Sequence, residues 1–215
     1  MNKSNDYHDY VFRSGNFIGK FEDMYRYSKE IPWNQDKVID SFYKKIPLEI
    51  LKSILNNKVN SIKKVIEVGC GYGYVLSNIY TSGIFFSGFD ISETAIERAK
   101  KLHNNINFFV DDIIHLKHSE KYDLVVVMEN LWYVIDHFEK AISNIKSLTK
   151  DNGYIFISLS FPKLNHDYYG KNILPNTDAL LNVLANDFEN LVVNVMHYSE
   201  LKNNGPMLSY LGKKS

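Results

Sequence analysis

From residue 65 onward, the hydrophobic positions of this chain follow two alternating patterns. Short runs rich in Val, Ile and Phe are separated by longer segments in which apolar residues recur every three or four positions. This alternation is typical of βα units that build a parallel sheet. Seven strands are predicted, at residues 65–68, 84–89, 106–110, 124–128, 154–159, 191–196 and 207–211. Several are apolar on both faces, as buried parallel strands are, so the predicted fold class is α/β with a doubly wound, mostly parallel seven-stranded sheet.

The amphipathic segments between these strands predict helices on both faces of the sheet. Four are expected, at residues 73–80, 93–103, 138–148 and 178–186. Ser92, Asp136 and Thr177 lie where N-caps are expected, and Glu139 would complete an aspartate form of the capping box with Asp136.

Residues 1–62 have a different character and are rich in aromatic side chains. The pattern predicts coil, then a helix from Asp36 to Lys45, a break at Pro47 and a further helix to Leu55. Ligands of open α/β sheets bind beyond the carboxyl ends of the strands, so we expect this segment to cap that end. Packing against the core is the alternative. Residues 63–215 would then form the cofactor-binding core of one structural domain.

Charge and cysteine content limit the classes of partner. The 215 residues include 25 Lys and Arg and 25 Asp and Glu, so the formal net charge is zero, and no attraction to nucleic acid or an anionic membrane is expected. The single cysteine, Cys70, cannot form a disulfide framework or an all-cysteine zinc site, which favours a reducing, cytoplasmic location. No apolar run is long enough to cross a bilayer. We expect a small-molecule partner, and either a monomer or a homodimer.

A glycine-rich turn is the strongest local signal. Residues 65–73 read Val-Ile-Glu-Val-Gly-Cys-Gly-Tyr-Gly, a strand that runs into three alternate glycines and then a helix. Glycine permits positive φ and lets backbone approach a ligand closely. Tyr74 stands where a dinucleotide fingerprint requires its third glycine, which disfavours NAD. Asp90, about 20 residues after Gly69, ends the next strand, where an acid can accept hydrogen bonds from ribose hydroxyls.

These residues resemble the first motif, E-x-G-x-G-x-G, of the class I S-adenosylmethionine-dependent methyltransferases. The resemblance covers about residues 65–211 and implies that family's strand order, with an antiparallel last strand, and its cofactor. It implies that the glycine turn contacts the methionine part, with Glu67 at the amino-acid end, Asp90 at the ribose and Asp112 at the adenine. The cofactor-binding residues predicted in this way are Glu67, Gly69, Cys70, Gly71, Gly73, Asp90, Ile91, Asp111, Asp112, Ile113 and Glu129. An acid-rimmed pocket suits a sulfonium and an ammonium group, whereas a phosphate would call for Lys or Arg.

The acceptor side is predicted from the segments after the fourth and fifth strands and from the cap. Residues 129–133, Glu-Asn-Leu-Trp-Tyr, resemble the acid-x-Leu-aromatic-Tyr stretch of small bacterial methyltransferases that act on sugars, amines and glycan precursors. Residues 31–33, Ile-Pro-Trp, match in part the Asp-Pro-Trp element of the nodulation N-methyltransferases, but the acid is absent. The candidate catalytic residues are Glu129, His137 and His166, and the candidate acceptor contacts are Tyr10, Tyr25, Trp33, Tyr133, Tyr168 and Tyr169.

Each of these assignments has a plainer alternative. Glu129 and His137 could cap a turn or a helix, and the aromatic residues could form a small hydrophobic cluster. The histidines show no metal-like spacing, so no metal is predicted. The predicted function is transfer of a methyl group from S-adenosylmethionine to an O or N atom of a small molecule, such as a sugar, capsule or natural-product intermediate. The alternatives are a nucleic-acid (tRNA) methyltransferase, which zero net charge disfavours, and a non-catalytic protein that binds the cofactor.

Overall fold

The computed structural model describes residues 4–14, 16–37, 42–58, 61–163, 167–197 and 204–215. At its centre is a seven-stranded sheet. The strands are β1 (Lys64–Val68), β2 (Phe85–Asp90), β3 (Asn107–Val110), β4 (Tyr122–Met128), β5 (Thr149–Pro162), β6 (Phe188–Met196) and β7 (Asn204–Lys214). Their order is β3-β2-β1-β4-β5-β7-β6. Within this sheet β7 runs antiparallel to both β5 and β6, and the other neighbouring strands are parallel, which confirms the predicted fold class and the antiparallel last strand.

The described helices lie on both faces of this sheet and at the carboxyl end of its strands. They are α1 (His8–Val11), α2 (Phe21–Tyr27), α3 (Phe42–Lys58), α4 (Tyr74–Ile79), α5 (Glu93–Leu102), α6 (Phe138–Leu148) and α7 (Thr177–Leu184), with 3-10 helices at Pro32–Lys37 and Leu131–His137. One core cluster joins α6 and α7 to the sheet, and the other joins α3, α4 and α5 to the opposite face. Among the described residues, no helix is long and apolar enough to cross a membrane.

The two-sided burial of β4 explains why the strands could be recognised from their composition. Val125 and Val127 pack in the cluster with α6 and α7, while Leu124 and Val126 pack in the cluster with α3, α4 and α5. All four side chains are fully buried. Because both faces of the strand exclude water, both sets of alternate positions are apolar.

One of the three predicted N-caps lies where it was expected. Ser92 is the N-cap of α5, and its hydroxyl accepts a hydrogen bond from the Ala95 amide at 3.1 Å, as predicted. The cap of α7 is Asn176, one residue before the predicted Thr177. The predicted capping box at Asp136 is wrong, because the preceding 3-10 helix continues through His137 and α6 begins at Phe138. Asp136 instead accepts a hydrogen bond from the Tyr169 hydroxyl at 2.6 Å.

The N-terminal prediction needs two corrections. Residues 4–37 are not coil, since they contain two short helices, a 3-10 helix and a hairpin of two-residue strands. Pro47 does not break a helix, because α3 runs from Phe42 through it to Lys58. Proline removes one backbone donor, but burial of Leu48, Leu51 and Leu55 in the core keeps the helix intact around it. Residues 38–41 of the predicted helix lie outside the described residues.

The N-terminal segment packs on the carboxyl end of the sheet. Tyr10, Met24 and Tyr25 are buried in one cluster with Tyr72, which follows β1, and with Ala95 of α5. α3 belongs to the main core instead, where its leucines pack against the sheet. The aromatic part of the segment therefore covers the end of the sheet where the predicted ligand residues lie.

Candidate functional site

A cavity of about 840 Å³ lies between the carboxyl ends of the strands and the N-terminal segment. The residues at the ends of four parallel strands line it: Gly69 after β1, Asp90 at the end of β2, Asp111 after β3 and Glu129 after β4. These strands are neighbours in the sheet, so their carboxyl ends meet at one edge. The volume falls within the usual range for cofactor and small-molecule sites.

Two backbone amides of the glycine turn donate hydrogen bonds to β2. The Gly71 amide donates to Asp90 Oδ2 at 2.9 Å, and the Cys70 amide donates to the Phe89 carbonyl at 2.9 Å. Gly69 has a φ of 65°, and a Cβ there would lie 2.5 Å from Asn130 Nδ2. The turn therefore requires glycine at this position, and it exposes the backbone of Gly69 to the cavity.

Gly73 has a packing reason to be glycine. It is the N-cap of α4 with a φ of 79°, and a Cβ there would lie 2.4 Å from the ring of Phe108. Neither Gly71 nor Gly73 lines the cavity, whereas Gly69 and Cys70 do. Of the predicted glycine contacts, only the first lies on the cavity wall.

Glu67 places one unsatisfied carboxylate oxygen in the cavity wall. Its side chain is only 2% exposed, and Oε2 has no hydrogen-bond partner among the described residues. Burial, reinforced by the negative charge of Asp90, raises the pKa of the Glu67 carboxyl well above its usual range. A ligand cation would satisfy this carboxylate, since a buried charge needs a partner of opposite sign.

Asp90 connects the glycine turn to the start of α5. Its Oδ1 accepts from the Ser92 amide at 3.0 Å, and its Oδ2 accepts from Gly71. Burial raises the pKa of the Asp90 carboxyl, while the amides of Ser92 and Gly71 oppose that rise. Ile91 follows on the cavity wall with 53% of its surface exposed.

The acids after β3 also shape the turn in which they lie. Asp111 accepts hydrogen bonds from the amides of Asp112 and His118 at 2.8 and 2.9 Å. Asp112 Oδ1 accepts from the Ile114 amide at 2.8 Å, and its Oδ2 lies 2.8 Å from His115 Nδ1. Asp111, Asp112 and Ile113 all line the cavity, so turn formation and ligand contact are compatible here.

Glu129 is anchored to the neighbouring strand. It has a left-handed φ of 55°, its Oε2 accepts from the Ser160 amide at 2.9 Å, and its Oε1 accepts from the Ser158 hydroxyl at 3.2 Å. Burial raises the pKa of the Glu129 carboxyl, against the effect of these hydrogen bonds and of the Lys44 charge. The side chain is fixed within the cavity wall rather than free to rotate.

Aromatic rings form the wall on the N-terminal side. Trp33 and Tyr133 have ring centroids 5.4 Å apart, and Tyr25 lies 6.3 Å from Trp33. Phe21 meets Tyr133 edge-on at 5.4 Å. Tyr25, Trp33 and Tyr133 all line the cavity, as does Phe21. These rings are inclined to one another and give the cavity an apolar aromatic wall.

Three of the predicted acceptor contacts lie away from the cavity. The hydroxyl of Tyr10 donates to the Ser4 carbonyl at 2.9 Å, and that of Tyr168 donates to the Pro175 carbonyl at 2.8 Å. Tyr169 donates to Asp136, and none of these three tyrosines lines the cavity. His137 is exposed at its rim, and His166 lies outside the described residues.

Two polar residues of the cavity, Lys44 and Gln35, belong to no motif from which the sequence could predict them. Lys44 of α3 donates from Nζ to the Trp33 carbonyl at 2.6 Å, and burial lowers its pKa while the charge of Glu129 opposes this. Gln35 accepts at Oε1 from the Tyr72 amide at 2.9 Å. Both belong to the N-terminal segment, whose polar positions follow no recognisable motif. Within the described ranges, no group of three or more His, Cys, Asp or Glu side chains could hold a metal ion.

Solved methyltransferase structures share this fold. The N-methyltransferase NodS from Bradyrhizobium japonicum WM9, in complex with S-adenosyl-L-homocysteine, aligns with a TM-score of 0.68 at 16% identity, over 86% of this chain and 93% of that chain. The magnesium protoporphyrin IX methyltransferase ChlM from Synechocystis PCC 6803, with bound S-adenosylmethionine, aligns with a TM-score of 0.65 at 18% identity over the whole of both chains. At such low identity, these similarities establish the fold.

Sequence comparison gives a closer but shorter similarity. The ubiquinone biosynthesis O-methyltransferase of Coxiella burnetii is 35% identical over 101 residues, which are 45% of this chain and 43% of that protein. The chain spans about half the length of the curated relatives it matches.

A family profile covers most of the chain. The profile described as a methyltransferase domain matches residues 39–203, which include α3 and the sheet through β6. The match agrees with the strand order and with the glycine turn after β1. The chain therefore belongs to the methyltransferase domain family, of the class I S-adenosylmethionine-dependent type that its glycine motif resembles.

Proposed function

We propose that this protein transfers a methyl group from S-adenosylmethionine to an O or N atom of a small molecule. The observation that carries the proposal is the buried carboxylate of Glu67, which lines the cavity beside the glycine turn and whose Oε2 has no hydrogen-bond partner in the part of the chain that the structure describes. The ammonium group of S-adenosylmethionine, the cofactor of the family, supplies the missing cation. A phosphate-bearing cofactor would bring a negative charge to the same place.

We assign the remaining parts of the cofactor to the acids that follow the next strands in the chain. We assign the ribose hydroxyls to Asp90 and the adenine amine to Asp112, with Ile113 as an apolar wall. Lys44 is the single lysine or arginine among the described residues that line the cavity, and it lies near Glu129 rather than in the glycine turn. An acidic cavity of this kind favours a cationic cofactor.

The chain contributes positioning to the reaction. When bound, the cofactor supplies a methyl group that its sulfonium has already activated. Trp33 and Tyr133 hold the acceptor against an aromatic wall and exclude water, and their faces attract positive charge. Glu129 is our candidate for orienting the acceptor and taking up its proton, because burial has raised the pKa of its carboxyl. His137, exposed at the rim, is the second candidate.

The acceptor is proposed to present a flat apolar face beside its hydroxyl or amine. Aromatic walls suit both the carbon–hydrogen face of a sugar and a planar ring. The sequence favours a sugar, capsule or natural-product intermediate, whereas the partial relative from Coxiella burnetii is named for ubiquinone biosynthesis. Both acceptor classes belong in the first activity screen. Zero net charge continues to disfavour a nucleic-acid acceptor.

Thermal shift and calorimetry test the cofactor. A ligand that binds only the folded protein raises its melting temperature, so S-adenosylmethionine and S-adenosylhomocysteine should stabilise the chain while NAD should not. Asp90→Ala should abolish the shift. Stabilisation by NAD alone would overturn the proposal. Methyl transfer from labelled S-adenosylmethionine is then measured with nucleotide sugars, phenols, amines and tRNA, and transfer to tRNA alone would overturn the acceptor class.

A further inference from the structure

Helix α2 reaches the start of α5 through one carboxylate. Glu22 Oε2 accepts from the Ser92 hydroxyl at 2.6 Å and from the Thr94 amide at 3.1 Å. Glu22 Oε1 accepts from the Thr94 hydroxyl at 2.6 Å and also contacts Arg26 at 2.6 Å. A carboxylate from a distant part of the chain thus caps the first turn of α5, where the helix dipole favours negative charge.

The same helix reaches the glycine turn through a second contact. Tyr25 lies three residues after Glu22, on the same side of α2. Its hydroxyl accepts a hydrogen bond from Gln35 Nε2 at 2.9 Å, and Gln35 Oε1 accepts from the Tyr72 amide. A Cβ at Gly71 would lie 2.4 Å from Gln35 Oε1, so the glycine leaves room for this contact.

Asp90 links the contact of Glu22 with α5 to the contact of Gln35 with the glycine turn. Ser92, which donates its hydroxyl to Glu22, donates its amide to Asp90 Oδ1, and Asp90 Oδ2 accepts from Gly71. The next residue, Tyr72, donates to Gln35. A chain of hydrogen bonds therefore leaves α2 at Glu22, passes the proposed ribose carboxylate and the glycine turn, and returns to α2 at Tyr25.

We propose that α2 is a clamp on the cofactor site, in which Glu22 is a positioning residue for Asp90 and Gln35 is a positioning residue for the glycine turn. This inference rests on the proposed function, since it concerns the same site. Glu22 touches neither Asp90 nor the cavity and acts through Ser92 and Thr94. Docking of α2 and binding of the cofactor then stabilise each other, because both need the same two loops in one arrangement.

The test measures the dissociation constant of S-adenosylhomocysteine by calorimetry. Glu22→Ala should weaken binding about tenfold or more, because it removes charge-assisted hydrogen bonds that order the site. Glu22→Gln, which keeps one acceptor oxygen, should have an intermediate effect. Asp23→Asn is the matched control, with the same loss of charge one residue away on α2, and should bind within about twofold of the wild type.

A double-mutant cycle separates positioning from general destabilisation. Thr94→Val removes the hydroxyl that Glu22 accepts from, so the Glu22→Ala, Thr94→Val pair should bind about as weakly as Glu22→Ala alone. Gln35→Leu removes the acceptor of the Tyr72 amide in the cavity wall and should also weaken binding of S-adenosylhomocysteine. Binding by Glu22→Ala within twofold of the wild type, with only a lower melting temperature of the ligand-free protein, would overturn the clamp. Absence of binding by the wild type would overturn the proposed function instead.

Discussion

The Asp90 carboxylate accepts a hydrogen bond from the Gly71 amide at 2.9 Å, which fastens the glycine turn after β1 to the end of β2. The other oxygen of Asp90 accepts from Ser92. Each carboxylate oxygen can accept a second hydrogen bond, so a ribose could bind Asp90 without breaking either contact. One buried side chain thereby orders two loops and remains available to a ligand.

Asp90→Asn should therefore reduce cofactor affinity more than tenfold. The amide nitrogen of the replacement cannot accept from Gly71 or Ser92, so one of the two loops loses its anchor. The measurement is the dissociation constant of S-adenosylhomocysteine. Asp123→Asn is a matched control, because Asp123 accepts from the amides of Lys63 and Lys64 at the opposite end of the sheet. Asp123→Asn should lower the free energy of unfolding and leave the affinity for S-adenosylhomocysteine unchanged. Equal loss of affinity in both variants would contradict the assignment.

Glu67→Gln should stabilise the ligand-free protein at neutral and higher pH. Burial raises the pKa of Glu67 in the folded state, so the unfolded chain releases its proton first as pH rises. The free energy of unfolding of the wild type consequently falls as pH rises from the ordinary pKa of a glutamate toward the raised pKa of Glu67 in the folded protein. The loss is about 1.4 kcal/mol for each unit by which the two pKa values differ. Denaturant unfolding should give the variant a higher free energy of unfolding than the wild type at pH 8, and the difference should become smaller toward pH 4.

The same substitution should weaken cofactor binding, because the amide cannot neutralise an ammonium group. A stability difference that does not change with pH would show that the Glu67 carboxyl is not protonated differently in the two states. Affinity equal to that of the wild type would remove Glu67 from the proposed site.

Gly73→Ala should destabilise the fold more than Gly83→Ala. Both glycines have a positive φ, 79° and 87°, so each substitution introduces left-handed strain of about 1 kcal/mol. A Cβ at Gly73 would also clash with Phe108, whereas a Cβ at Gly83 would have no described atom within 4 Å apart from those of its chain neighbours. The clash adds about 1–3 kcal/mol in a packed core. Equal free energies of unfolding for the two variants would contradict this packing argument.

Glu129→Ala should lower the free energy of unfolding by about 1–3 kcal/mol, because the Ser160 amide loses its acceptor in a partly buried site. Glu129→Gln keeps one acceptor oxygen and should lose less. Glu49→Ala serves as the control, since Glu49 is a half-exposed partner of Lys52 and such surface pairs contribute less than about 1 kcal/mol. A loss at Glu129 no larger than at Glu49 would refute the anchoring role.

Local rules decided some elements, and packing overrode others. Ser92 caps α5 as its side chain predicts, since the cap is a contact within three residues. Pro47 lies inside a helix because its neighbours Leu48 and Leu51 are buried in the core. Asp136 has the composition of a cap, but its carboxylate binds Tyr169, 33 residues away. Local propensity gives the default, and long-range contacts replace it where they are stronger.

The strand pattern was enough to predict the sheet and the acids that line the cavity. Two-sided apolar strands are recognisable, and parallel topology brings their carboxyl ends to one edge, so Glu67, Asp90 and Asp112 had to lie near one another. The contacts of the N-terminal segment depend on long-range packing instead. Glu22 meets Ser92 across 70 residues and Gln35 meets Tyr72 across 37. Single polar side chains on short helices carry no periodic signal, so only the packed fold could show which loops they hold.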